Sequence, residues 1–148
     1  MLEYARENIS MLAPEIAPLI KAGLVERYGP SRARVPPNME VYCASEDRNL
    51  LYCFTAREDR QLVGVAIFLL SVRPHAEDEL LAVLDALYVL PEHRCNGVAT
   101  GLLRSAESAL KAAHVNVIAA GTNDVRIARW FRMTFGYAYS ETLLEKVL

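Results

Sequence analysis

The sequence is poor in cysteine and lacks the cysteine patterns that a disulfide framework or a zinc site needs. Its 148 residues include three cysteines, Cys43, Cys53 and Cys95, an odd number without a Cys-x-x-Cys pair. This count favours a reducing, cytoplasmic location. None of the three histidines stands at metal-ligand spacing from another, so we expect no bound metal.

Long apolar runs and a large charge of either sign are also missing. No apolar run is long enough to cross a bilayer. The first residues lack the basic head and apolar centre of a signal peptide, so we expect no membrane association. A net charge of −2 excludes the global basic field that attracts nucleic acid. The 53% hydrophobic and 23% charged content is typical of one globular domain, here residues 1–148.

The order of predicted elements is that of a mixed α/β fold. Apolar residues at helical spacing predict helices over Pro14–Tyr28, Met39–Asp47, Val98–Ala113 and Asp124–Thr134. Apolar runs bounded by turn residues predict strands over Leu2–Glu7, Leu50–Ala56, Leu62–Val72, Leu80–Leu90, Val115–Ala120 and, as one or two strands, Tyr137–Val147. Residues Ser31–Asn38 are predicted to form a loop. The nearly unbroken apolar run at Leu62–Val72 predicts a central strand that is buried on both faces.

One polar turn, between a predicted strand and a predicted helix, has the features of an anion-binding site. The first N–H groups of a helix lack backbone partners, and this end of a helix carries a partial positive charge. Gly97 and the small Ala99 would let an anion approach the backbone closely, and Arg94 adds a charge able to pair with phosphate. By itself, the pattern Arg-x-x-Gly-x-Ala is also compatible with an ordinary strand-to-helix turn.

Together with its flanking strand and helix, this turn resembles a known cofactor loop. The segment Leu84–Gly101, LDALYVLPEHRCNGVATG, is similar to the pyrophosphate loop of the GNAT superfamily of acyl-CoA-dependent N-acyltransferases. The element order is similar too, which implies a central, mixed and mostly antiparallel twisted sheet with splayed strands, flanked by helices. The stretch FTAREDRQLVGVAIFLLSVRPH further resembles small acetyltransferases encoded by bacteriophages.

The resemblance implies acetyl-CoA as the co-substrate and indicates where it would bind. In this superfamily the acyl-pantetheine arm fills a gap between two splayed strands, here Leu84–Leu90 and Val115–Ala120. The cofactor-binding residues implied by the resemblance are Leu87, Tyr88, Val89, Arg94, Cys95, Asn96, Gly97, Val98, Ala99, Thr100, Gly101 and Asn123. A nucleophilic role for Cys95 is not expected, because the family transfers the acyl group directly.

The implied reaction is attack of an amine on the acetyl thioester within a ternary complex. The amine must be neutral, the oxyanion needs a donor and the departing thiolate needs a proton. Asp85 is the candidate base, since it is an acid inside an apolar strand and burial there would make its carboxylate a stronger base. The alternatives are that Asp85 caps a neighbouring backbone group or lies on a solvated edge.

A second motif departs from the family pattern, which has Asn, then Ala three residues on and Tyr seven residues on, followed by Gly-Phe or Gly-Tyr. Aligned on Gly136-Tyr137, Ala128 keeps its place, but Arg132 replaces the tyrosine that usually acts as the acid. The asparagine is displaced as well, with Val125 at its position and Asn123 two residues earlier. Tyr137 is the candidate substitute acid, and Tyr139 and Tyr88 are alternatives.

The missing tyrosine leaves two functions open. The first is N-acetyl transfer to an amine acceptor that is a small molecule, a protein or a modified nucleobase. The second is a catalytically weak or inactive module that binds acyl-CoA or a partner. A homodimer is compatible with either.

Overall fold

The computed structural model describes residues 1–30, 37–76, 78–146 and 148, which form five strands and four α-helices. The strands are β1 (Leu2–Arg6), β2 (Leu51–Glu58), β3 (Gln61–Val72), β4 (Leu80–Val89) and β5 (Val117–Ala120). The helices are α1 (Ile9–Tyr28), α2 (Met39–Asp47), α3 (Val98–Ala112) and α4 (Val125–Phe135). Most of the predicted loop Ser31–Asn38 lies outside the described residues.

The strands form one mixed sheet in the order β1-β2-β3-β4-β5. Strands β1 to β4 pair with one another antiparallel, and β5 runs parallel to β4. The four helices flank this sheet, which confirms the predicted fold class. The prediction of a central, buried strand is confirmed as well, because β3 lies in the middle of the sheet and seven consecutive residues, Leu62–Phe68, are buried.

Each face of the sheet has its own apolar core. Leu102 and Leu110 of α3 pack with Phe54 and Phe68 on one face, in a cluster that includes Phe131 of α4. On the other face, α1 packs its own isoleucines against Cys53 and Ile67, and residues of α2 border this second cluster. Among the described residues, no helix is both long enough and apolar enough to cross a membrane.

The first helix begins at Ile9 rather than at Pro14, so Pro14 and Pro18 both lie inside it. The reason is a cap from elsewhere in the chain. The Glu46 carboxylate accepts hydrogen bonds from the backbone N–H groups of Ile9 and Ser10, at 2.6 and 3.2 Å. A carboxylate at a helix N-terminus stabilises the first turn, and this contact cannot be read from the local sequence.

The predicted strand over Tyr137–Val147 is wrong for its described residues, 137–146, which pair with no strand. Val147 lies outside the described residues. The side chains of Tyr139, Leu143 and Leu144 are exposed, so this segment buries little apolar surface. Its residues also lack the strict alternation of apolar and polar side chains that would fix a strand on the sheet.

The fourth strand contains a β-bulge at Asp85. Ile67 of β3 pairs with Ala86 and the next residue, Phe68, pairs with Leu84, so Asp85 has no partner on β3. A bulge shifts the side-chain alternation by one residue. Accordingly, Leu84 packs on the α3 side of the sheet and Ala86 on the α1 side.

Candidate active site

A cleft opens where β4 and β5 diverge. The two strands pair only from Leu81–Val117 to Leu84–Ala120, and β4 then continues to Val89 without β5 beside it. The resulting cleft has a volume of about 520 Å³. Its walls come from α1, α2, the second half of β4, the β5–α4 connection and the α4 residues Ile127 and Phe131.

The backbone of β4 presents hydrogen-bonding groups to this cleft. Leu90 donates its N–H to Val63 of β3, and along an antiparallel ladder every second residue repeats that direction. The backbone of Tyr88 is therefore used by its partner Val65 on β3. The N–H groups of Leu87 and Val89 point to the open side, as does the Val89 carbonyl, which accepts a 2.8 Å hydrogen bond from Arg94 Nε.

The predicted anion turn is exposed and begins α3 without a side-chain cap. Gly97, at the N-cap, has φ of 78°, and Cys95 has φ of 65°, so two turn residues adopt left-handed backbone conformations. Among the described residues, no atom beyond the neighbouring residues lies within 4 Å of the position that a Cβ at Gly97 would occupy. The first N–H groups of α3, on Val98, Ala99 and Thr100, are those that a helix leaves without backbone partners.

Gly101 has a packing role that the sequence does not reveal. A Cβ built on Gly101 would overlap the phenol ring of Tyr4 on β1. The glycine therefore allows α3 to pack closely against the sheet, which accounts for its identity without a ligand.

Arg94 is held beside the turn by other protein groups. Its Nη2 lies 2.8 Å from Glu26 Oε1 of α1, and its guanidinium carbon lies 5.2 Å from the centre of the Tyr88 ring. The hydrogen bond to Glu26 raises the pKa of Arg94 above its usual value. Glu26 thus competes with any bound anion for this guanidinium.

Asp85 lies in the cleft, but its carboxylate is exposed, so the prediction that it is buried among apolar residues is wrong. The physical reason is that the bulge turns this residue towards the region where β5 has diverged. Tyr42 of α2 donates its hydroxyl to Asp85 Oδ2 at 2.5 Å. Burial first, and then the contact with Asp85, raise the pKa of the half-buried Tyr42 far above its usual range, which keeps the phenol neutral.

The structure does not bring Tyr137 into the cleft with Asp85. Tyr137 lines a separate hollow of about 690 Å³ with Glu107 and Phe135, and it packs against the core on the α3 side of the sheet. Burial first, and then the Glu107 charge, raise the pKa of Tyr137 far above its usual range. The phenol is consequently a weak acid in a location away from the candidate base.

The second motif places one of its residues at the cleft. Asn123 is exposed in the β5–α4 connection that forms part of the cleft wall. Its neighbour Asp124 caps α4 by accepting the Arg126 N–H at 2.8 Å. Arg132, at the usual tyrosine position, is exposed, and its guanidinium carbon lies 4.9 Å from the centre of the Tyr139 ring.

Sequence reasoning missed Tyr42 and Glu26. Tyr42 lies 43 residues from Asp85 in the chain, and Glu26 lies 68 residues from Arg94. In the sequence, Tyr42 is only a tyrosine in a short predicted helix, and Glu26 is only a glutamate in a longer one. Such residues are too common to be identified as functional without the fold.

These features define an α/β protein with a binding cleft. The open strand edge suits an extended ligand, and the uncapped start of α3 suits an anionic group. The chain belongs to the acetyltransferase (GNAT) family, whose model matches residues 19–137. This agrees with the resemblance found in the sequence.

Solved structures with the same fold include three acetyltransferases of low sequence identity. A predicted acetyltransferase with acetyl-CoA from Clostridium acetobutylicum is 18% identical, with a TM-score of 0.78 over 99% of this chain and 96% of that one. A ribosomal-protein-alanine N-acetyltransferase from Brucella melitensis biovar Abortus 2308 is 19% identical, with a TM-score of 0.72 over 99% and 100%. An aminoglycoside acetyltransferase from an uncultured soil metagenomic sample, in complex with sisomicin, is 17% identical, with a TM-score of 0.79 over 99% and 95%.

At these identities the structural likeness defines the fold alone. No curated protein matches the chain significantly. The narrower resemblance to acetyltransferases of bacteriophages stays a prediction.

Proposed function

We propose that this protein transfers an acetyl group from acetyl-CoA to an amine acceptor, with direct attack of the amine in a ternary complex. The observation that carries the proposal is the open edge of β4, which continues through the turn at residues 90–97 into the exposed, uncapped start of α3. Family membership and the acetyl-CoA complex of a structural neighbour support the choice of co-substrate.

The residues of the cleft fit acetyl-CoA in two places. The free N–H groups of Leu87 and Val89 suit the amides of a pantetheine arm, which would lie along β4 as an added strand does. The diphosphate fits the N–H groups at the start of α3, beside Gly97. Arg94 is close enough to the turn to contribute charge once its pairing with Glu26 is weakened.

Asp85 is the proposed base, acting directly or through a water. When bound, acetyl-CoA supplies the electrophilic thioester carbon. The Asp85 carboxylate accepts a proton from the acceptor ammonium, which frees the nitrogen lone pair to form the new C–N bond. The C–S bond breaks with its electron pair going to sulfur, the newly bonded nitrogen releases its second proton to a water, and that water passes a proton to the departing thiolate. A thiolate is a tolerable leaving group, so the loss of the usual tyrosine does not prevent turnover.

One observation favours the alternative of a catalytically weak acyl-CoA-binding module. Arg132 stands where the family has its acid, and its guanidinium stacks on an exposed tyrosine instead of entering the cleft. The exposed Asp85 in the cleft favours the enzyme, because a binding module needs no carboxylate at the point where the strands diverge.

The structural neighbours suggest two classes of acceptor amine. Structural neighbours are described as acting on aminoglycosides and on a ribosomal protein alanine, so small molecules and protein amines are both reasonable acceptors. A modified nucleobase is a third option. We further propose a cytoplasmic location, which is consistent with the three free cysteines. Light scattering would distinguish a monomer from a homodimer.

An assay of wild-type protein tests the proposal. Thiol release from acetyl-CoA is followed with a panel of aminoglycosides, polyamines and peptides with free N-termini, and the acetylated product is identified by mass spectrometry. Amine-dependent thiol release with an N-acetyl product is expected. Binding of acetyl-CoA without thiol release in the presence of any amine of the panel would favour the acyl-CoA-binding module. Absence of acetyl-CoA binding would contradict both functions.

A further inference from the structure

The carboxylates at the cleft differ in how their charge is balanced. Glu26 is paired with Arg94, and Asp124 is paired with Arg126. Within residues 1–30, 37–76, 78–146 and 148, Asp85 has no cationic partner, and its one hydrogen-bond partner is the neutral phenol of Tyr42. Of the three carboxylates at the cleft, Asp85 is therefore the one that pairs with no cation within these residues.

The direction of the hydrogen bond between Tyr42 and Asp85 is fixed by their chemistry. A carboxylate only accepts hydrogen bonds, and the raised pKa of Tyr42 keeps its hydroxyl proton in place. The bond engages Oδ2. In the described part of the chain, Oδ1 has no hydrogen-bond partner, so this oxygen is available to a ligand in the cleft.

Tyr42 is itself held firmly. At the start of α2, Asn38 Oδ1 accepts the N–H of Val41, and near its end Glu46 binds the first residues of α1. The helix is thus anchored at both ends, and the phenol between these anchors is half-buried. Asp85, in contrast, is an exposed side chain in a bulge, and among the described residues Tyr42 is its one hydrogen-bond partner.

We infer that Tyr42 is a positioning residue for acetyl transfer: it fixes the Asp85 carboxylate through Oδ2 so that Oδ1 faces the acceptor amine. This inference rests on the proposed function, since it assigns a role within that reaction. Holding a reacting group in one orientation raises the rate of the chemical step without changing the affinity for a co-substrate bound elsewhere.

A double-mutant cycle on kcat tests this role. Tyr42→Phe removes only the hydroxyl, and we expect kcat to fall on the order of 10-fold with the acetyl-CoA KM unchanged. In an Asp85→Asn background the same change should have no further effect on kcat, because the group that Tyr42 positions is no longer a base. Tyr52→Phe is the matched control, since Tyr52 lies on β2 with its ring against Arg6. Its kcat should equal that of wild type.

Three results would overturn the inference. One is a wild-type kcat in Tyr42→Phe. Another is an equal loss from Tyr42→Phe in the wild-type and Asp85→Asn backgrounds, which would indicate an independent structural effect. The third is a loss of kcat accompanied by a fall in melting temperature well beyond that of Tyr52→Phe and by a raised acetyl-CoA KM. A wild-type protein that binds acetyl-CoA but transfers nothing would instead contradict the proposed function, and the role of Tyr42 with it.

Discussion

Two polar clusters border α1: the first is centred on Arg57, and the second is the cleft pair of Asp85 and Tyr42. They differ in how completely their hydrogen-bonding groups have partners. Arg57 uses all five of its N–H donors, on the carboxylates of Glu7 and Glu15 and on the Arg60 carbonyl. The buried Thr55 hydroxyl adds a hydrogen bond to Glu7. In the cleft, Asp85 has one neutral partner among the described residues.

The difference distinguishes groups that hold the fold from groups that are available to a ligand. The Arg57 cluster ties α1 and the segment after β1 to β2, and it has no donor left for anything else. Among the described residues, the cleft has groups without protein partners: a carboxylate oxygen of Asp85, the N–H groups of Leu87 and Val89, and the start of α3. Changes in the first cluster should therefore alter stability, and changes in the second should alter binding or turnover.

The largest effect is expected from Gly97→Glu. A carboxylate in the exposed turn would occupy and repel the diphosphate site, so acetyl-CoA binding should be abolished in calorimetry. Gly136→Glu is a matched control, because Gly136 also has a positive φ of 76° and no described residue close to its Cβ position, but lies at the end of α4. Unchanged affinity in Gly97→Glu would place the diphosphate elsewhere.

Asp85→Asn should lower turnover at neutral pH on the order of 10²-fold, as loss of a general base does, with little change in acetyl-CoA affinity. The comparison of the two clusters is sharpened by Glu15→Gln, which removes a carboxylate from the satisfied cluster and should leave turnover unchanged. Steady-state kinetics on both variants measure whether turnover depends on the cleft carboxylate and not on the carboxylate in the Arg57 cluster. Equal rates in Asp85→Asn and wild type across the pH range would reduce Asp85 to a structural residue.

Arg57→Met should destabilise the fold and leave the reaction unaffected. A loss of about 2 kcal/mol is expected in urea unfolding, the net size of one hydrogen bond to a charged group, because water can replace the bonds to the half-exposed Glu15 and the Met side chain keeps the packing of the stem. Arg129→Met, at an exposed position of α4, is the control. A large drop in kcat of folded Arg57→Met would break the division between the two clusters.

The smallest effect is expected from Tyr137→Phe. The Tyr137 ring packs at 5.0 Å from Phe131, between ring centres, and the change keeps that packing. Because the phenol lies outside the cleft, turnover should stay within about twofold of wild type, the scale of a change that touches no functional group. A severe loss with folding intact would make Tyr137 the migrated acid.

The strand, turn and helix over Leu84–Gly101 could be predicted from the sequence because the signals are local. An apolar run that ends at a proline, a glycine in a polar turn and a helical stripe each act within a few residues. The start of α1 could not be predicted in this way, since it is set by the distant Glu46.

The polar contacts of the site also could not be predicted from local sequence patterns. The bulge at Asp85 depends on the register between β3 and β4, and apolar residues on both sides of it hide the shift. The pairs Tyr42–Asp85 and Glu26–Arg94 each join segments far apart in the chain. The sequence therefore predicted where the cleft lies but not which side chains orient the carboxylate within it.

The central claim is that acetyl-CoA binds along β4 and over the turn that precedes α3. Cys95 tests this directly, because it is an exposed thiol in that turn, whereas Cys53 is buried and Cys43 is half-buried. Mass spectrometry would follow alkylation by iodoacetamide with and without saturating acetyl-CoA. Slower labelling of Cys95, with Cys43 and Cys53 unaffected, is the predicted result. Equal labelling of Cys95 in both conditions would contradict the proposed site.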